Sequence, residues 1–153
     1  MIIIGDVHGG GKVKGLLRSE RKLDIYFNII RGLKQKTIQL GDLGFKEEHK
    51  WFLKNVNTDQ HKVLFGNHDH LPMVHERHSL GDYALLENNS IMAIRGAYSI
   101  DKGQRTEGLD WFHDEELSMA KCDEVLTMVD RYRPRVILSH DCPTEIAYEM
   151  HGH

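Results

Sequence analysis

Cysteine is scarce in this chain of 153 residues: there are two, Cys122 and Cys142, and they form no C-x-x-C pair. That leaves neither a zinc ribbon nor a disulfide framework to expect, and it fits a cytoplasmic setting. No long apolar run is present either. The opening Met1-Ile2-Ile3-Ile4 is far shorter than a signal sequence or a membrane span and runs straight into Gly5-Asp6, so no membrane partner is expected. A basic excess is also missing. The formal net charge is −3 with histidine neutral, without the surplus that marks a general nucleic-acid binder. No linker or repeat interrupts the sequence, and with 40% apolar and 28% charged residues, 1–153 reads as one domain able to bury a core.

What the chain does have is alternation. Apolar runs at 1–4, 37–40 and 62–65, each closed by glycine, read as buried strands, and further strands are expected at 91–95 and 135–139. Longer amphipathic stretches lie between them. Residues 13–33 suggest one helix, or two broken near 19–22, with Leu16, Leu17, Leu23, Ile25, Ile29, Ile30 and Leu33 apolar. Residues 46–56 place Trp51, Phe52 and Val56 on one helical side. Residues 114–131 read as a helix with Leu117, Cys122, Val125, Leu126 and Val129 apolar, ended before Pro134. Strands alternating with helices predict βαβ units and an α/β fold.

Several strands run directly into polar motifs: Gly5-Asp6-Val7-His8-Gly9, Gly41-Asp42 and Gly66-Asn67-His68-Asp69, with His140 after 135–139. In open α/β sheets, ligands bind at the carboxyl ends of strands. Extended backbone points i and i+2 the same way, so Asp6 and His8 are placed to share one cation. Asp42 has two carboxylate oxygens, enough to bridge two cations, while Asn67 adds a neutral oxygen and His140 an imidazole. Such a mixed set suits Mn²⁺, with Fe or Zn²⁺ as alternatives, better than an all-oxygen calcium cage. His68, on the other side of its segment, is the candidate general acid because histidine titrates near neutral pH, and Asp69 or Asp42 would orient it. Two divalent cations roughly 3.5–4 Å apart would activate a hydroxide for in-line attack at phosphorus. Hydrolysis of a phosphoester is the expected reaction.

Asp6-Val7-His8, Gly41-Asp42, Gly66-Asn67-His68-Asp69 and Ser139-His140 together resemble the calcineurin-like metallophosphoesterase superfamily, in the expected order from residue 1 to 140. The resemblance implies a sandwich of two mixed β-sheets flanked by helices. It also implies that Asp6 and His8 ligate a first metal, Asp42 bridges, Asn67 and His140 ligate a second, and His68 protonates the leaving group. The stretches from Arg95 to Asp101 and from Gly108 to Phe112 are similar to members found in phages and bacteria. Two departures stand out. Gly41-Asp42-Leu43-Gly44-Phe45 lacks the further aspartate and arginine of the protein serine/threonine phosphatases, which weakens a phosphoprotein substrate relative to a small molecule or nucleotide. The Gly-His-x-His that normally follows is replaced by His151-Gly152-His153, with ten residues, 141–150, after His140.

That ending leaves three readings open: a fragment or shortened member without the last strand, substitution of the missing pair by His151 and His153, or a site that binds one metal or none tightly. Three functional classes also stay in play. A phosphomonoesterase or phosphodiesterase comes first, then a non-catalytic binding module on the same fold, then a nuclease whose basic surface would be Lys12, Lys14, Arg18, Arg21 and Lys22. His49, His61, His70, His75, His78 and His113 lack motif support and are assigned to the surface or rim. Lys12 fails as a P-loop lysine because Asp6 and Val13 occupy required positions. Arg105 has the fork to grip a phosphate, but an ordinary exposed loop arginine is the plainer reading.

Overall fold

A computed structural model of the chain describes residues 1–8, 17–43, 56–73, 76–142, 146 and 149. In chain order the regular elements are β1 (Ile2–Ile4), α1 (Leu17–Gly32), β2 (Thr37–Gln39), β3 (His61–Val63), β4 (Tyr83–Leu86), β5 (Ile91–Ile94), α2 (Met119–Tyr132) and β6 (Val136–Ser139). The class is α/β. Strands β1, β2 and β3 pair in parallel, with Ile2, Thr37 and His61 level across the sheet. The second sheet has the order β4-β5-β6, an antiparallel pair followed by a parallel one. Among the described residues, then, one sheet is mixed and the other parallel throughout.

Two apolar clusters hold these layers together. On α1, Leu23, Tyr26, Phe27 and Ile30 recur at i, i+3, i+4 and i+7, forming one stripe that packs on Leu43, Val63, Phe65 and Leu71. Ile38, Leu64, Ala93 and Leu138 form the second cluster, which joins the two sheets. Val63, Leu64 and Phe65 therefore face alternate clusters, as successive residues of an extended chain must. Each fully buried Leu, Ile or Phe contributes roughly 1.5–3 kcal/mol relative to exposure. Among the described residues no helix is long and apolar enough to cross a membrane.

Several sequence expectations need correction. Residues 17–32 form one unbroken helix, and its buried stripe excludes Ile25 and Ile29, which are 50% and 55% exposed. The helix expected from 114 starts at Met119, because Ser118 caps it through Lys121 N while the carbonyls of Asp114 and Glu115 accept from Arg95. Leu126 on that helix is exposed. β4 was not foreseen; its four residues are all half-buried, so no alternation marks them. Among the described strands β2 alone is buried along its length, whereas β1 exposes Ile3 and β6 exposes Val136 and Ile137. His61 and His78 are buried, not superficial. His61 Nδ1 pairs with Thr37 Oγ1 at 2.9 Å, and burial lowers its pKa. The helix expected at 46–56, apart from Val56, lies outside the described residues, as do Gly9, Lys12, Lys14, His49, His75, His151 and His153.

Candidate metal centre

Parallel pairing puts the carboxyl ends of β1, β2 and β3 on one edge, and backbone hydrogen bonds then tie the loops that follow. Val7 N and His8 N both donate to Asp42 O, at 3.2 and 2.8 Å, and Leu40 N donates to Ile4 O at 2.9 Å. Gln39, buried in β2, braces the same turns: its amide nitrogen donates to Gly5 O at 3.3 Å and to Gly41 O, and its Oε1 accepts from Gly41 N at 3.0 Å. Asp69 closes the third loop by accepting from Gly66 N at 2.9 Å.

Asp42, 3% exposed, sits at the centre of the resulting cluster. Its Oδ2 lies 3.6 Å from His8 Nε2, which is in turn 3.6 Å from Asp6 Oδ2. Its Oδ1 lies 3.4 Å from His140 Nε2, which is 3.3 Å from Asn67 Oδ1. One carboxylate thus addresses two separate donor pairs. Ligand atoms of Asp6, His8 and Asp42 fall within 4.8 Å of one another, and the 3.6 Å from His8 Nε2 to each carboxylate is less than twice a metal–ligand bond of roughly 2.0–2.2 Å.

The second pair has an internal check on its chemistry. His140 Nδ1 lies 2.8 Å from Leu40 O, a pure acceptor, so Nδ1 carries a proton and Nε2 is the ring atom left to face inward. The amide nitrogen of Asn67 is spent on Ser99 Oγ at 3.0 Å, leaving Oδ1 to face the same spot. An imidazole nitrogen, an amide oxygen and a carboxylate oxygen therefore converge on one spot. A bound cation or a proton on Nε2 satisfies that arrangement; another acceptor does not.

The residues singled out from the sequence come together here, but for partly different reasons. Asp6 and His8 do not meet as i and i+2 of a strand: His8 has φ 47°, in the left-handed region, and the two bonds to Asp42 O hold it there. His68 lies in a turn, its N–H donating to Asp42 Oδ1 at 2.9 Å, its Nε2 4.0 Å from Asp42 Oδ2 and its ring edge-on to His8 at 5.5 Å. Asp69 is buried, bound to its own turn and beside Tyr26, whose phenol is pushed up by burial and by the Asp69 charge.

Gln39 and Ser99 were missed, because a glutamine in an apolar run and a loop serine carry no motif. Arg105 was undervalued. Its side chain is 7% exposed and pairs with Asp101 at 2.6 Å. Nη1 donates to Asn67 O at 3.0 Å and to Asp110 O at 3.3 Å, and Nη2 donates to His68 Nε2 at 2.9 Å. At Asp101, desolvation raises the carboxyl pKa, but the Arg105 hydrogen bond and charge outweigh it and hold the group below the ordinary carboxylate value.

No protein-family model, curated protein or solved structure matches the chain.

The close approach of the loops needs glycine. A Cβ on Gly66 would run into Asp42 Oδ1 and come within 2.6 Å of His140 Nε2, the space between the two proposed ligands. Gly66→Ala is expected to cost about 1–3 kcal/mol of stability, the usual penalty for overpacking. It is also expected to weaken Mn²⁺ binding at least ~10-fold without removing any ligand, since 1.4 kcal/mol of misplacement is tenfold in affinity. Thermal unfolding and metal titration would read this; unchanged Mn²⁺ affinity would show that the loops need not approach so closely.

Proposed function

We propose that the chain is a metal-dependent phosphoesterase with the fold and site of the calcineurin-like metallophosphoesterases. The observation that carries this reading is the division of the Asp42 carboxylate between the Asp6/His8 and Asn67/His140 pairs. A parallel sheet packed on α1 and joined to a second sheet by a shared apolar cluster supports the fold.

In this reading Asp6, His8 and Asp42 would hold one divalent cation, and Asn67 and His140, with Asp42 shared, would hold a second. Mn²⁺ is the first choice, with Fe or Zn²⁺ as alternatives. Bound there, the cations would lower the pKa of water and neutralise charge developing at phosphorus. The chain's own groups do the rest. Leu40 O fixes the His140 tautomer, Ser99 orients the Asn67 amide, and the backbone bond from His68 N holds Asp42 in place. His68 Nε2, on the exposed side of Asp42, is placed to give its proton to the departing oxygen as the ester P–O bond breaks. A phosphorylated small molecule or a nucleotide is the substrate class.

The test is hydrolysis of p-nitrophenyl phosphate and bis(p-nitrophenyl) phosphate with added Mn²⁺ and with chelator. Turnover that appears with Mn²⁺ and disappears with chelator is expected. No turnover with Mn²⁺, Fe²⁺ or Zn²⁺, in protein shown to take up metal, would favour a non-catalytic binding module instead.

A further inference from the structure

Arg105 is held unlike a surface arginine. Its guanidinium is almost fully covered, and one nitrogen is bolted to two main-chain carbonyls, Asn67 O and Asp110 O. The other nitrogen is left with side-chain partners alone: the Asp101 carboxylate and His68 Nε2. Arginine has no acceptor atom, so at 2.9 Å the imidazole nitrogen accepts from it. A ring nitrogen that accepts from Arg105 cannot at the same time hand a proton to a substrate. An oxygen beside the pair, within hydrogen-bond reach of both nitrogens, resolves the conflict by accepting the Nη2 hydrogen in place of Nε2.

We propose that Arg105 is a substrate-contacting residue that donates through Nη2 to a phosphoryl oxygen beside His68, with Asp101 standing in for that oxygen's charge in the free protein, and that this contact favours phosphomonoesters over diesters. The preference follows from charge and oxygen count. A monoester brings a second negative charge and a third non-bridging oxygen, where a diester has a carbon-bearing oxygen that accepts more weakly. A fixed guanidinium rewards the former, and its planar fork makes it more demanding than a lysine ammonium. Asp101, its side chain 45% exposed, can turn to water when the substrate oxygen arrives. The inference rests on the phosphoesterase reading for its substrate, but the anion site can be tested without turnover.

The experiment is calorimetric titration of inorganic phosphate into Mn²⁺-loaded and chelator-treated protein, for the parent, Arg105→Ala, Arg105→Lys and Asp101→Asn, alongside kcat/KM for the two p-nitrophenyl esters. Arg105→Ala is expected to weaken phosphate binding about 10- to 100-fold, the range for a hydrogen bond to a charged group converted to affinity. Its loss in kcat/KM is expected to be larger for the monoester than for the diester. Arg105→Lys should fall between parent and Ala. Asp101→Asn should tighten phosphate binding several-fold, because a competing carboxylate is gone; a purely structural ion pair would give weaker or unchanged binding. If Arg105→Ala does not fold, Arg105→Lys and Asp101→Asn decide the matter. Phosphate affinity that ignores Arg105, or a parent protein that does not bind phosphate, overturns the inference. Arg105-dependent phosphate binding without turnover of either ester would instead uphold the anion site and sink the phosphoesterase reading.

Discussion

Asp42→Asn is expected to abolish tight Mn²⁺ binding and hydrolysis together while leaving the metal-free protein folded. Asparagine keeps the shape, tolerates the left-handed backbone found at this position (φ 52°), and still offers an oxygen to the His68 N–H. What it removes is the negative charge and one of the two oxygens. Because Asp42 Oδ1 and Oδ2 address different donor pairs, losing one oxygen disconnects a pair and losing the charge weakens both. Metal content should fall from two ions per chain to less than one, with activity at background. Thermal unfolding with chelator should change by no more than about 1 kcal/mol, since a buried carboxylate without its counter-ions adds little to stability. Near-parental metal content in the Asn variant would show that Asp42 is not the shared ligand. Loss of fold without metal would assign it a structural role instead.

His68→Asn separates chemistry from metal binding. The link from this residue to Asp42 runs through its main-chain N–H, which the substitution leaves intact, so Mn²⁺ content should stay near that of the parent. The side chain then has no imidazole to deliver a proton, and kcat should drop by roughly 10²–10⁴, the usual contribution of a general acid. The drop should be smallest for p-nitrophenyl phosphate, whose leaving group departs readily as an anion, and largest for an alkyl phosphate. An equal drop for both leaving groups would mean that His68 does not protonate the departing oxygen. A parental rate with both would remove it from the mechanism.

The proposed ligands were visible in the sequence because each motif is local. An apolar run, a glycine and a proposed ligand follow one another within a few residues at Asp6, Asp42 and Asn67, and strand polarity alone then places them at one sheet edge. The same locality explains why the buried face of α1 was read only in part: Ile25 and Ile29 are apolar by type but lie off the stripe that Phe27 and Ile30 define. The late start of α2 is a tertiary effect, since Arg95 captures the carbonyls of Asp114 and Glu115 that would otherwise begin the helix.

By itself, then, the sequence determined the α/β class, the order of the strands that carry the motifs, and the identity of the donor residues, all of which depend on neighbours along the chain. Only the tertiary structure decided how the donors are aimed. The tautomer of His140 depends on Leu40 O, the orientation of Asn67 on Ser99, and the state of His68 on Arg105, contacts that span 100, 32 and 37 positions respectively. The left-handed turn at His8 follows likewise from its bond to Asp42 O rather than from any preference of histidine. Hydrogen bonds between distant segments exist only once the sheets have paired and the core has closed, so no local pattern of residue types announces them.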